Sequence, residues 1–218
     1  MRSNILVFSL LFLLLACKKN RDNMIDVSGN VKNAINNQTI AGVQVILEVK
    51  EFGGNSFSNS FSEIETTLTD ATGAYDITFE NRNAIEYRLI FNADNYFSKT
   101  ISINPDDLDL VELNKYDEKI FSWSYLKINI TNSSPFNAMD QLILNFNNMV
   151  IEDPGPGSCL INIISLSGIT ADTTFECQVY GDQTVNYEYF VTKNNVTNQY
   201  NGGIYCPPGD TANSYINY

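Results

Sequence analysis

Not one histidine occurs among the 218 residues. Its absence excludes Ser-His-Asp and Cys-His nucleophilic machinery of the usual kind. It also excludes His-ligated zinc and the iron site built from two histidines and a carboxylate. Basic residues are scarce: 13 Lys and Arg stand against 25 Asp and Glu, a formal net charge of −12. Such a chain lacks the Lys/Arg patches that hold nucleic-acid phosphates, and it has little electrostatic pull toward anionic lipid. The glycines do not cradle phosphate either. Gly53-Gly54 and Gly202-Gly203 sit in Asn- and Ser-rich stretches, not between a strand and a helix. Heptads and any sustained helical period are missing as well. For catalysis a pair of carboxylates remains, which a sequence neither places nor excludes. No cofactor and no metal are expected, and no nucleic-acid partner.

Long apolar runs are also lacking, with one exception. Ile5 to Leu15 is almost unbroken, follows a basic Met1-Arg2 start, and closes in Leu14-Leu15-Ala16-Cys17 before Lys18-Lys19. It falls short of the ~20 residues of a permanent span and has the layout of a secretion signal. The four closing residues resemble the lipobox of bacterial lipoproteins, with a bulkier Leu15 than is usual. That resemblance implies cleavage after Ala16, a diacylglyceryl thioether on Cys17, and acylation of the new amino terminus. Residues 1–16 are then a lipoprotein signal peptide and 17–24 a lipidated tether. Losing 1–16 removes only Arg2, so 12 basic groups face 25 acidic ones, a charge near −13. Each buried acyl methylene contributes ~0.8 kcal/mol, so attachment rests on lipid. Lys18-Lys19 stands where an Asp would resemble an inner-membrane retention signal. The expected location is therefore the outer membrane of a cell envelope, facing the periplasm or the cell surface.

The remainder reads as strands. Val27–Val31, Gly42–Val49, Thr66–Thr69, Ala74–Phe79, Glu86–Asn92 and Lys99–Ile103 alternate or are rich in β-branched and aromatic residues, with turn signals between. Thr69-Asp70-Ala71-Thr72-Gly73-Ala74-Tyr75 predicts an Asp-capped hairpin turn, with Gly73 at positive φ and Tyr75 plugging the core. Pro105 to Lys119 is acidic and reads as a connector or edge strand; Asp106, Asp107 and Asp109 could grip Ca²⁺, but no EF-hand spacing or glycine-bearing repeat accompanies them. Residues 25 to 104 resemble the carboxypeptidase regulatory-like domain. The match rests on Gly29-Asn30-Val31, Gly42-Val43-Gln44-Val45, Thr69 to Tyr75, Tyr87 to Phe91, and Asn95-Tyr96-Phe97. Departures fall at Ile40-Ala41 and Asn95, where that family often has proline and glycine. The resemblance implies a transthyretin-like sandwich without catalytic residues.

A second β unit starts near Phe121. Tyr125–Thr131, Gln141–Phe146, Cys159–Leu166, Thr173–Tyr180, Thr184–Lys193, Gly203–Cys206 and Ser214–Tyr218 are its expected strands, the last lying inside a sheet. Asp153 to Gly157 is a Pro/Gly turn no strand traverses. The fold class is thus all-β: two antiparallel sandwiches in tandem, residues 25–118 transthyretin-like and 119–218 Ig- or fibronectin-like.

With Cys17 lipidated, Cys159, Cys177 and Cys206 remain, and outside the cytoplasm two of them pair. Cys177 with Cys206 is the expected disulfide, since both lie in strand-like segments; closing ~30 residues stabilises by ~3 kcal/mol in the chain-entropy model. Tyr187 and Tyr189 share one strand face, with Glu188 and Phe190 on the other. That pair and Tyr200, in an expected loop from Asn194 to Gly203, are the candidate contact surface. The functional expectation is a non-catalytic, membrane-anchored lipoprotein that docks a glycan or protein. The alternatives are a structural subunit of an outer-membrane complex and, more remotely, a carboxylate-based glycan hydrolase.

Overall fold

Alternation of apolar and polar residues builds almost every element. Val45, Leu47 and Val49 of one strand and Tyr87, Leu89 and Phe91 of its neighbour are all fully buried, while their sequence neighbours face outward. One buried side chain every second residue is the period of extended backbone. The structure, a computed structural model, describes residues 23–52, 60–147 and 163–218. The leader, Cys17 and Cys159 lie outside those residues.

The first half contains β1 (Met24–Asn33), β2 (Gln44–Glu51), β3 (Ser62–Leu68), β4 (Ala74–Glu80), β5 (Ala84–Asn92) and β6 (Lys99–Ile103). A 3-10 turn (Pro105–Asp107) leads to β7 (Asn114–Lys115) and β8 (Glu118–Ile120). One sheet has the order β3-β2-β5-β6; the other pairs β4 with β1, and β7 and β8 follow β1 on its far side. Between the sheets lies a closed apolar cluster, from Ile25 to Ile120. Tyr75 meets Phe91 edge-on at 5.8 Å, and Phe79 meets Tyr87 at 5.2 Å.

The second half contains β9 (Trp123–Thr131), β10 (Gln141–Asn147), β11 (Ile163–Ser167), β12 (Asp172–Tyr180), β13 (Gln183–Lys193), β14 (Val196–Cys206) and β15 (Thr211–Asn217). Its sheets run β11-β10-β13-β14 and β12-β9-β15 around a second cluster that includes Leu126, Ile130, Leu144, Val185 and Ile216. No α-helix occurs among the described residues.

Several expectations need correcting. The sheets are mixed, not antiparallel throughout: β7 and β8 run parallel to β1, and β15 runs parallel to β9. β15 also closes the edge of its sheet instead of lying inside it. The Asp70 turn joins strands of different sheets, so it is a corner between layers and not a hairpin. Its chemistry is as read: Asp70 Oδ1 accepts from Thr72 N and Oγ1 (both 2.7 Å) and from Ala74 N (3.0 Å), and Gly73 has φ +76°. Those bonds, led by the Thr72 hydroxyl, hold the Asp70 carboxyl below its ordinary range. The acidic 105–119 stretch folds onto β1, and Asp109 is spent locally on the amides of Val111 and Glu112. Among the described residues, no three His, Cys, Asp or Glu side chains are grouped to hold a metal ion.

The Cys177–Cys206 pair does not form. Cys206 is a buried free thiol, and Cys177 is disulfide-bonded but not to it. Cys177 lies mid-strand in β12 opposite Leu126, whereas Cys206 ends β14 in the facing sheet, opposite Gln183. Its thiol turns back on the Ile204 carbonyl at 3.8 Å. Strand character cannot report the Cα separation, below ~7 Å, that a disulfide requires. Burial pushes the Cys206 thiol up to about 11, so at neutral pH almost none is the reactive thiolate. Iodoacetamide at pH 8 should therefore leave the Cys206 peptide unmodified in folded protein and label it in urea. Equal labelling in both states would contradict this burial.

The two halves meet through short, specific contacts. Tyr180 is fully buried between Phe121 (stacked, 4.1 Å) and Phe97 (edge-on, 5.7 Å). Phe97 N donates to Phe121 O and Trp123 N to Asn95 O, both at 2.9 Å. Asp182 accepts from Asn33 of the first half and from Ser122 and Tyr205.

Candidate binding site

β13 and β14 form a long hairpin around Asn194 and Asn195, which have φ of 48° and 60°. Two adjacent positive-φ residues are the mark of the type I′ turn, whose twist matches paired strands. The chain from Val196 to Cys206 is thus a strand along its whole length, not the expected loop from Asn194 to Gly203. β14 is also the last strand of its sheet, so one edge of its backbone pairs with no strand among the described residues.

The facing of β13 is the reverse of the expectation. Val185, Tyr187, Tyr189 and Val191 point inward, and Thr184, Asn186 and Glu188 outward. Tyr187 is a core residue, only 8% exposed. Its ring covers Gly202 on β14, where any Cβ would lie 2.4 Å from it, and its hydroxyl reaches Ser214 Oγ on β15 at 3.0 Å. It therefore ties the two sheets together and is unavailable to a ligand. Outside, Glu188 accepts from Gln199 at 3.0 Å.

Tyr189 also faces inward, whereas Tyr200 is exposed. They are directly cross-strand partners, stacked at 5.1 Å and 17°. Tyr189 is half-buried at the rim of the core and Tyr200 is 45% exposed. Burial, then the neighbouring Tyr187 and Tyr200, raises the Tyr189 hydroxyl above its usual range. Together with Val191, Lys193, Asn198, Asn217 and Tyr218 they line a cleft of about 210 Å³ where β14 and the end of β15 part. Three tyrosines and two carboxamides in one concavity combine flat apolar faces with donors and acceptors.

The floor of this cleft is more tightly built than its mouth. Tyr218 is 92% buried, and its carbonyl accepts from Ser133 N at 2.7 Å, yet its hydroxyl has no partner among the described residues. Burial and the nearby Asp140 charge raise that hydroxyl's pKa. The Lys193 ammonium lies 5.1 Å over the Tyr218 ring and donates to Asn132 Oδ1 (2.9 Å) and the Ser134 carbonyl. Asp140, with no exposed surface, accepts from Asn132 Nδ2 (3.0 Å), Phe136 N (2.7 Å) and Asn137 N (3.1 Å). Burial penalises its charge, but these bonds and Lys193 outweigh that and hold its carboxyl below the ordinary range. Sequence reasoning missed Asn132, Asp140, Lys193 and Tyr218 entirely. Their separation along the chain leaves no local motif to find.

No protein-family model matches this chain, and no curated protein does. Among solved structures, the Bacillus anthracis TIE protein aligns over 89% of this chain and 34% of its own, with 10% identity and a TM-score of 0.40. A mutant of the shaft pilin SpaA from Lactobacillus rhamnosus GG aligns over 87% and 98%, with 11% identity and a TM-score of 0.36. A 9R-lipoxygenase from Cyanothece PCC8801 aligns over 46% and 17%, with 10% identity and a TM-score of 0.33. The chain thus spans about a third of the TIE protein and less of the lipoxygenase. Likeness this low says nothing about activity.

Proposed function

We propose that this chain is a non-catalytic lipoprotein of the cell envelope, held by lipid on Cys17, whose second half binds glycan in the tyrosine-lined cleft. The supporting observation is the cleft's chemistry: Tyr200 offers an exposed ring face, braced from behind by Tyr189, with Asn198 and Asn217 beside it. A sugar ring presents an apolar face to such a platform and hydroxyls to the carboxamides. Among the described residues no Asp or Glu lines the cleft, so the paired carboxylates that glycoside hydrolysis needs are not seen there, and binding without turnover is the reading we adopt. The two separate apolar clusters agree with a tandem arrangement of two sandwiches, and the order of motifs over residues 25 to 104 with a transthyretin-like first one.

A panel of envelope and host-surface oligosaccharides, screened by array and titrated by fluorescence, tests the site. Tyr200→Ala should weaken binding of any hit roughly tenfold, the effect of losing ~1.4 kcal/mol, with the melting curve unchanged. A hit bound equally well by the variant would place the site elsewhere. Fatty-acid labelling of cells, abolished in Cys17→Ala, tests the anchor.

A second reading, a structural subunit docked to a neighbouring protein, is favoured by the edge of β14. Its outer edge pairs with no strand among the described residues, and Val196 to Tyr205 contains no Lys, Arg or Pro to discourage another strand. Crosslinking on intact membranes that captures a partner through β14 would favour it over glycan binding.

A further inference from the structure

Lys193, Asn132 and Asp140 hold an amine, a carboxamide and a carboxylate together in a place from which water is largely shut out. Lys193 ends β13 and Asn132 follows β9, so the two side chains come from opposite sheets, 61 residues apart in sequence. The Lys193 nitrogen lies 2.9 Å from Asn132 Oδ1, one bond from the carbonyl carbon. A single oxygen, Asp140 Oδ2, is 3.0 Å from Asn132 Nδ2 and 4.0 Å from Lys193 Nζ. Asp140 and Asn132 are 0% and 7% exposed, and the Lys193 side chain 23%. Tyr218 supplies an aromatic wall beneath the amine. This is more than a surface ion pair requires.

We propose that Lys193 and Asn132 become joined by an intramolecular amide bond, with Asp140 as the proton carrier. Asp140 first takes a proton from the Lys193 ammonium, which exposes the nitrogen lone pair. That nitrogen adds to Cγ of Asn132, and the electron pair of the carbonyl moves onto Oδ1. Asp140 passes its proton to Nδ2, then takes a second from the new nitrogen. The C–Nδ2 bond breaks as the carbonyl re-forms, the leaving group departs as ammonia, and it then takes the second proton from Asp140 to become ammonium. Ammonium and carboxamide have become a secondary amide and free ammonium. Nothing is oxidised or reduced, and Asp140 ends as it began.

Three geometric facts favour this over a passive clamp. The Lys193 nitrogen already touches the amide it would attack, 2.9 Å from its oxygen, and reactants held in contact gain large effective concentrations. The leaving nitrogen has a second acceptor, the Gly168 carbonyl at 3.1 Å, which orients it away from the amine. The same carboxylate oxygen serves both nitrogens, as a proton carrier must. The product staples the two sheets of the second half across their shared core.

Chymotryptic mapping of the full-length protein decides the matter. The expected result is a branched peptide containing Lys193 and Asn132, lighter than the sum of its parts by one ammonia, together with loss of tryptic cleavage after Lys193. Asp140→Ala should leave the two residues in separate peptides of unaltered mass. Lys193→Arg, which keeps a charge at that position, should also stay unlinked and melt roughly 10 °C lower, as expected for losing a cross-link around a loop of this size. Recovery of Lys193 and Asn132 in separate unmodified peptides from the native protein overturns the proposal. A cross-link that persists in Asp140→Ala overturns the role of Asp140.

Discussion

Gly29→Ala is expected to unfold or nearly unfold the first half, lowering stability by about 3 kcal/mol or more. The reason is a backbone crossing. Residues 114–120 run alongside β1, where Tyr116 N donates to Ser28 O at 2.8 Å and Asn30 N donates to Asp117 Oδ1 at 2.9 Å. The peptide between these anchors passes directly over Gly29. A Cβ there would lie 1.8 Å from Tyr116 O, 2.6 Å from its carbonyl carbon and 3.0 Å from the Tyr75 ring. The Tyr75 hydroxyl holds that same carbonyl at 2.8 Å. The clash is with backbone fixed on three sides, so no rotamer change relieves it. The loss is large against the 5–15 kcal/mol of a typical domain. Urea denaturation followed by circular dichroism measures it. A variant within about 0.5 kcal/mol of the parent would mean that residues 116–117 move aside freely.

The second large effect is expected at Asp182, where Ala should cost roughly 3 kcal/mol and Asn distinctly less. Its carboxylate gathers Asn33 Nδ2, Ser122 Oγ at 3.1 Å and the Tyr205 hydroxyl at 3.1 Å. Asn33 is 1% exposed and Ser122 0%. With alanine there, Ser122 loses its acceptor without gaining water, and the Asn33 Nδ2 donor is left with a 3.4 Å contact to the Tyr96 hydroxyl, while Asn33 Oδ1 keeps the Ile35 and Asn36 amides. Leaving buried donors unmet costs more than the net value of the bonds themselves. Ala also inherits a backbone at φ +59°, which L-residues other than Asn and Asp resist. Denaturant curves of Asp182→Ala and Asp182→Asn, read together, separate the two contributions. Equal losses in both variants would assign the effect to something other than the acceptor.

How much of this was legible beforehand differs by element. β2, β4 and β5 follow from alternation alone, because each has three buried apolar residues in step. Alternation misreads β13 because Tyr187 and Tyr189 on one face are answered by Phe190 on the other, so aromatic rings stand on both. Only the longer run, with Val185 and Val191 in step with Tyr187, decides its facing. β14 looked like a loop because Asn, Gln and paired glycines dominate it. Yet Asn194-Asn195 was a turn signal of the right length, and Gly202 is there to make room for the Tyr187 ring. The parallel pairing of β15 with β9 leaves no trace in either strand's pattern. The cysteine pairing failed because sequence places each residue on a strand but not each strand in a sheet. Of the cleft, Tyr189 and Tyr200 were named and its floor was invisible.

The gripped passage from Phe121 to Trp123 has one further consequence. Tyr180 is clamped between Phe97 and Phe121, and Asp182 is bonded to both halves, so the junction is held by ring packing and by hydrogen bonds at once. A strain set up in one half is therefore passed to the other through packed rings and hydrogen bonds, with no slack linker to absorb it.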